Sequence, residues 1–216
     1  MNQENDVKKF FNKAAQEEKG YYDSPKSLAF KAQKWARRKL LLMIGSKPQT
    51  ILDAGSGRGD LTTKLAQKFS ESKIIGIDFA EDMITIAKKE TKGQPNVSFL
   101  KADLTQLPFS DNQFDLCVCL NTLHLLPQNA LLKALTELAR VTNHLLLVEI
   151  KNKNNLYTFF KKIKERLHTK GALTTFTASK EIVNILSKNN FSLVKKNNIF
   201  LFGFLSPITV MGFKKN

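Results

Sequence analysis

The residues that could do chemistry cluster in one glycine run and four polar positions. The stretch TILDAGSGRGD, Thr50 to Asp60, sets Gly55, Gly57 and Gly59 at alternate positions directly after an apolar run ending in Asp53. Glycines this dense let a backbone bend closely against a ligand. A dinucleotide-binding turn reads G-x-G-x-x-G, but Asp60 stands where its third glycine belongs. A P-loop needs a Lys-Ser/Thr pair after the last glycine, and none follows. Asp53 also argues against a pyrophosphate, which it would repel, and suits a ligand with an ammonium or sulfonium centre. Asp78 ends a second apolar run, where a carboxylate can accept hydrogen bonds from both hydroxyls of a ribose. Asp103 in KADLTQLPF and Asn121 in LNTLHLL are expected to close two further strands.

Such groups meet only if the strands run side by side in one direction. TILDA, KIIGID (Lys73 to Asp78), NVSFLKAD (Asn96 to Asp103), FDLCVCLN (Phe114 to Asn121) and NHLLLVEI (Asn143 to Ile150) are five apolar runs of strand length. Helical patterns lie between them at about Asp60 to Phe69, around Met83, Ile84 and Ala87, and from Gln128 to Arg140. This alternation predicts an α/β fold with a parallel sheet covered on both faces, whose carboxyl edge is where ligands bind.

The flanks read differently. Residues 1–47 form a helical cap, with Val7, Phe10, Phe11 and Ala14 on one apolar face, and Leu28, Ala32, Trp35, Ala36, Leu42 and Met43 on another. Residues 48–150 form the core, and 151–177 interrupt its rhythm. Residues 178–216 hold a helix, SKEIVNILSKN, and two apolar strands near Phe191 to Lys195 and Ile199 to Val210. The whole reads as a single domain.

ILDAGSGRGDLT, IIGIDFAEDMITIAKK, VSFLKADLTQLPFSDNQFDLCVCLNTLHLL and LLLVEI, in this order, resemble the motifs of class I S-adenosylmethionine-dependent methyltransferases. Within that class they resemble the small-molecule branch that includes the ubiquinone and menaquinone methyltransferases. The resemblance is strong over Thr50 to Ile150 and weak in the flanks. It implies a doubly wound, mostly parallel, Rossmann-like sheet of seven strands, the last antiparallel, with S-adenosylmethionine as cofactor. By that likeness the glycine turn (Gly55, Ser56, Gly57, Gly59) lies against the methionine part with Asp53 nearby. Asp78 takes the ribose, with Phe79 and Met83 beside the adenine. Asp103 takes the adenine amino group, Leu104 adds a backbone contact, and Asn121 and Leu123 line the methyl-donor end.

His124, following the fourth strand, is the general-base candidate, since histidine is the side chain best suited to exchanging protons near neutrality. Tyr21 or Tyr22, in the turn GYYDSP, is a second candidate, as an N-terminal tyrosine can close over the cofactor in relatives. Both also have ordinary structural readings. The place after strand four reads NTLH, not the Asn/Asp-Pro-Pro-aromatic signature of base-amino methyltransferases. Cys117 and Cys119 lie within a strand with no Pro-Cys pair, against a cytosine-carbon nucleophile. No Cys/His cluster has metal-ligand spacing.

The net charge of +15 suggests an anionic partner or simple solubility. Residues 151–170 hold seven cations against Glu165 alone, beside an apolar stripe of Leu156, Phe159, Phe160, Ile163 and Leu167. Such a helix can lie on an acidic membrane, cover the active site as a lid, or touch RNA. The start MNQENDVKKF has no apolar leader core, and a cytoplasmic location is expected. Three functions stay open: methyl transfer to a small molecule, apolar or lipid-linked; methyl transfer to RNA or protein; and a non-catalytic cofactor-binding module.

Overall fold

The computed structural model describes residues 28–45, 47–153, 175–199 and 208–216. Tyr21, Tyr22 and the Leu156 to Leu167 stripe lie outside the described residues. The strands are β1 (Thr50–Ala54), β2 (Lys73–Asp78), β3 (Val97–Lys101), β4 (Phe114–Cys119), β5 (Thr142–Lys151), β6 (Phe191–Asn198) and β7 (Ile208–Lys215). The helices are α1 (Leu28–Leu41), α2 (Asp60–Lys68), α3 (Glu81–Glu90), α4 (Gln128–Val141) and α5 (Ser179–Ser187).

The strands form one sheet in the order β3-β2-β1-β4-β5-β7-β6. The pairs joining β3, β2, β1, β4 and β5 are parallel, and β7 runs antiparallel to both β5 and β6. The chain therefore builds outward from β1 in one direction, returns, and builds in the other from β4. That reversal leaves a crevice between the turns after β1 and β4, which is where open α/β sheets bind ligands.

Strict alternation along the central strands fills two cores. Leu52, Ala54, Cys117, Cys119, Leu146 and Val148 face α4 and α5, meeting Leu135, Leu138, Ile182 and Leu186. Ile51, Leu116, Val118 and Leu147 face α1 and α2, meeting Ala36, Leu40, Leu61 and Leu65. Both cysteines are free and buried, and burial pushes the Cys117 thiol up to about 12 and Cys119 further. At the amino end, one Asp115 carboxylate oxygen accepts the N–H groups of Gln49 (2.8 Å) and Thr50 (3.1 Å), pinning β1 to β4.

Four expectations need correction. The buried stripe is Ala32, Ala36 and Leu40 of α1, joined by Ile44 past its end, while Trp35 on α1 and Leu42 just after it are exposed. The apolar positions of α1 outnumber what one face can hold, and spacing by four selects the small residues that let the helix approach the sheet. β6 runs on to Asn198, beyond the expected Lys195, and β7 spans Ile208–Lys215, beyond the expected Val210. β3 ends at Lys101, and Asp103 begins a turn instead of closing the strand. β4 ends at Cys119, two residues short of Asn121.

Candidate active site

The turn after β1 hangs from the end of β2. The N–H groups of Gly55 and Ser56 both donate to the Ile77 carbonyl, each at 2.8 Å. The glycines all adopt positive φ, but for different reasons. At Gly55 (φ 78°) a Cβ would fall 2.2–2.8 Å from the Thr122 side chain, so this glycine lets the turns after β1 and β4 touch. At Gly57 (φ 53°) a Cβ would meet nothing within 4 Å. Gly59 (φ 86°) begins α2 and abuts Phe99, Ala87 and Thr91, on the packed side of the turn.

Asp78 ties this turn to the next helix. Its Oδ2 accepts the Gly57 N–H and its Oδ1 accepts the Ala80 N–H, each at 3.0 Å. The Phe79 N–H also reaches this carboxylate, whose lone pairs leave room for a further hydroxyl donor. Burial raises the Asp78 pKa, and the Ala80, Gly57 and Phe79 N–H groups oppose that rise. Beside it, Ala80 and Met83 are buried with Phe79 and Ile86 in a small apolar cluster separate from the two main cores.

Asp53 is fully enclosed and accepts the Thr62 hydroxyl at 2.6 Å, linking β1 to the first turn of α2. Burial lifts its pKa from 3.8 to about 6 against the Thr62 hydrogen bond and the Arg37 charge. Ser56 is buried, and its Oγ has no hydrogen-bond partner.

On the far side, Asn121 takes a left-handed conformation (φ 59°), which asparagine tolerates better than most residues. Thr122 Oγ1 donates within 3.0 Å of the Leu120 carbonyl and 3.3 Å of the Gly55 carbonyl. Leu123 and His124 are then buried in a 3-10 turn, Leu123–Leu125. The Thr175 N–H donates to the His124 carbonyl at 2.6 Å, so the returning chain crosses over this turn. Asp103 is exposed; its Oδ1 accepts the Thr105 N–H (2.8 Å) and hydroxyl (2.9 Å). Leu104 beside it is buried. Glu149, near the end of β5, is fully buried; its Oε1 accepts from Lys151 at 3.1 Å and its Oε2 has no partner.

The structure thus brings Gly55, Ser56, Gly57, Asp78, Asn121 and Leu123 to one crevice edge, with Phe79 and Met83 beside Asp78. It turns Gly59 toward packing and ties Asp53 to α2.

Two residues invisible to the sequence reading hold the β3–β4 crossover. Arg140 on α4 donates to the Leu107 carbonyl (3.1 Å), the Phe109 carbonyl (2.7 Å) and Asp111 (2.8 Å), and pairs with Glu137 (2.7 Å). Glu137 accepts the Leu107 N–H at 2.7 Å. The Glu137 and Asp111 carboxylates raise the Arg140 pKa, while Arg140 lowers that of Glu137. The only signal was an E-x-x-R spacing on a helix, which commonly marks a surface pair.

Residues 51–144 match the family model described as a methyltransferase domain. Magnesium protoporphyrin IX methyltransferase of Synechocystis, solved with bound SAH, superposes with a TM-score of 0.80 over 99% of this chain and 100% of that one, at 20% identity. The chain thus shares the fold of this solved methyltransferase, and its residues 51–144 are similar to a methyltransferase domain. In sequence that part resembles the menaquinone methyltransferases. The demethylmenaquinone methyltransferase of Thermus thermophilus is 38% identical over 83 residues, 38% of each chain. The 2-phytyl-1,4-naphtoquinone methyltransferase of Nostoc is 41% identical over 76 residues, 33% of each. The aligned part spans well under half the length of these relatives.

Proposed function

We propose that this protein transfers a methyl group from S-adenosylmethionine to a small apolar acceptor of quinone-like chemistry. The observation that carries the cofactor assignment is the pairing of Asp78 with Gly57: an anchored carboxylate with spare lone pairs, beside a backbone position with open space where a side chain would lie. The unpartnered Ser56 Oγ in the same turn is a buried polar atom that a bound ligand would satisfy.

S-adenosylmethionine supplies an activated methyl group on a positive sulfur. Gly55, Ser56 and Gly57 are assigned to its methionine portion, and Asp78 to the ribose hydroxyls. Phe79 and Met83 form the apolar wall for the adenine, with the free Oδ2 of Asp103 for its amino group and Leu104 beside it. Asn121 and Leu123 border the transfer end. Asp53 contributes negative potential from beneath the turn. His124 is the base that takes a proton from an acceptor hydroxyl, and the unpartnered Glu149 oxygen offers an acceptor site for a donor on the substrate.

The acceptor class is supported by the relatives, which are methyltransferases of demethylmenaquinone, 2-phytyl-1,4-naphtoquinone and magnesium protoporphyrin IX. Calorimetry with S-adenosylmethionine, followed by turnover with a short-chain demethylated naphthoquinol, tests both halves. Micromolar binding with methylated product is expected. Absence of cofactor binding overturns the assignment, and binding without turnover on quinols or porphyrins leaves a non-catalytic module.

A further inference from the structure

Among the described residues, the outward face of α1 packs against no other element of the fold. The helix buries Ala32, Ala36 and Leu40 against the sheet, and Ile44 just past its end joins them. At 100° per residue, Lys31, Lys34, Trp35, Arg38 and Leu42 lie on the opposite side, and all five are exposed. Trp35 is 51% and Leu42 64% exposed, large values for residues of this kind. The helix carries Lys31, Lys34, Arg37, Arg38 and Lys39 and no acid. Among the described residues only Arg37 of these has an acidic partner, Asp60 at 3.2 Å.

The neighbouring helix extends the same field. Lys64 on α2 is held below its ordinary pKa by partial burial and then by the charges of Arg37 and Lys34. Lys68 donates to the Leu41 carbonyl at the end of α1, at 2.7 Å. Cations thus converge here at a cost that solubility alone does not require.

We propose that this face of α1 docks on an acidic phospholipid surface, with Trp35 and Leu42 entering the headgroup region and Lys31, Lys34 and Arg38 pairing with lipid phosphates. A helix in this mode lies in the plane of the membrane, apolar side chains inward and cations at the phosphate level. A tryptophan is well suited to that boundary, having an apolar body and one N–H donor. Trp35 and Leu42 are two turns apart, about 10 Å along the axis, so both can touch a flat surface at once. A nucleic-acid strand would call for a groove with several aromatic platforms, and this face is convex with a single ring. Two apolar side chains give weak, reversible contact dominated by charge.

Trp35 is the single tryptophan of the chain, so its fluorescence reports on this face alone. The full-length protein is titrated with vesicles of phosphatidylglycerol and phosphatidylcholine, with pure phosphatidylcholine vesicles, and with single-stranded RNA. The expected result is a blue shift with sedimentation on the acidic vesicles only, reversed by salt. Each cation near an acidic surface strengthens binding roughly fivefold. The triple change Lys31→Glu, Lys34→Glu, Arg38→Glu should therefore weaken binding more than a hundredfold, and Trp35→Ser with Leu42→Ser several-fold. Their far-UV spectra and melting should match the parent, because none of these side chains is in the core. Sedimentation on acidic vesicles without a Trp35 shift would put the contact elsewhere and overturn the proposal. A salt-sensitive Trp35 response to RNA and none to vesicles would replace the lipid with nucleic acid, and no response to either would leave the face without a partner.

Discussion

The turn after β1 and the turn after β4 face each other across the crevice and are built on opposite plans. The first is made of backbone: two N–H groups on the Ile77 carbonyl, a third on Asp78, and space above Gly57. The second is made of side chains: Thr122 wedged against Gly55, with Leu123 and His124 buried. In the proposed function, the backbone cradle serves the donor that enzymes with different acceptors share, and the side-chain wall serves the acceptor.

The contrast can be broken most severely at Gly55→Val. Any Cβ there overlaps Thr122, and a branched residue at φ 78° adds backbone strain. Overlap and strain each cost about 1–3 kcal/mol. Urea denaturation should show a loss of that combined size. Adding Thr122→Ala should restore the overlap portion and leave the strain; a stable single variant would mean the turns do not touch.

Asp53→Asn should act through pH. The folded pKa of about 6 exceeds the unfolded 3.8, so the folded state binds more protons between these values. Stability from this group is therefore fully present below about pH 4 and lost as pH rises to about 6, a cost on the order of 3 kcal/mol at neutrality. The variant should flatten urea midpoints across that window and raise them at pH 7. A positive ligand favours the ionised form, so wild-type cofactor affinity should rise through pH 6. An unchanged pH profile in the variant would show that Asp53 does not titrate there.

Asp78→Ala removes the acceptor for the Gly57, Ala80 and Phe79 N–H groups and, in the proposed function, for the ribose. A charge-assisted hydrogen bond is worth about 1.5–3 kcal/mol, so calorimetry should show affinity falling roughly tenfold to a hundredfold in a folded protein. Gly57→Ala sharpens the comparison with Gly55. Its Cβ enters open space, so the fold should lose only about 1–2 kcal/mol from the left-handed conformation. Cofactor affinity should nevertheless drop at least tenfold in the same calorimetric assay. His124→Gln should leave cofactor affinity within about twofold while turnover falls by about 10² or more, as loss of a general base does. Equal turnover would return His124 to a packing role.

The backbone turn was legible in the sequence because its requirements are local: alternate glycines, an acid before them, and Asp78 ending the next strand. Strand β2 was readable to the residue, since an apolar run between charged ends leaves little freedom. The wall was not. That Thr122 touches Gly55 depends on strand order, not on spacing. That Asp103 forms its own turn with Thr105 is not marked by the apolar pattern, which gives no end to β3. Trp35 and Leu42 misled because hydrophobicity marks both buried faces and faces left for a partner. The strand expected at Ile199 to Val210 was misplaced at its end because continuous apolarity hides where a strand begins and stops.

The pairing of β5 with β7 has a consequence in time. β5 is apolar from Leu145 to Val148, and its two neighbours in the sheet are β4 and β7. β4 is already made when β5 is synthesised, but Ile208 comes 57 positions after Lys151. At about 5–20 residues per second, the ribosome leaves that edge without its partner for roughly 3–11 s. For that interval the nascent chain carries a bare, hydrophobic strand edge open to pairing with another chain. A protein with this strand order is therefore expected to be most vulnerable to aggregation, and most dependent on chaperones, before β7 is made.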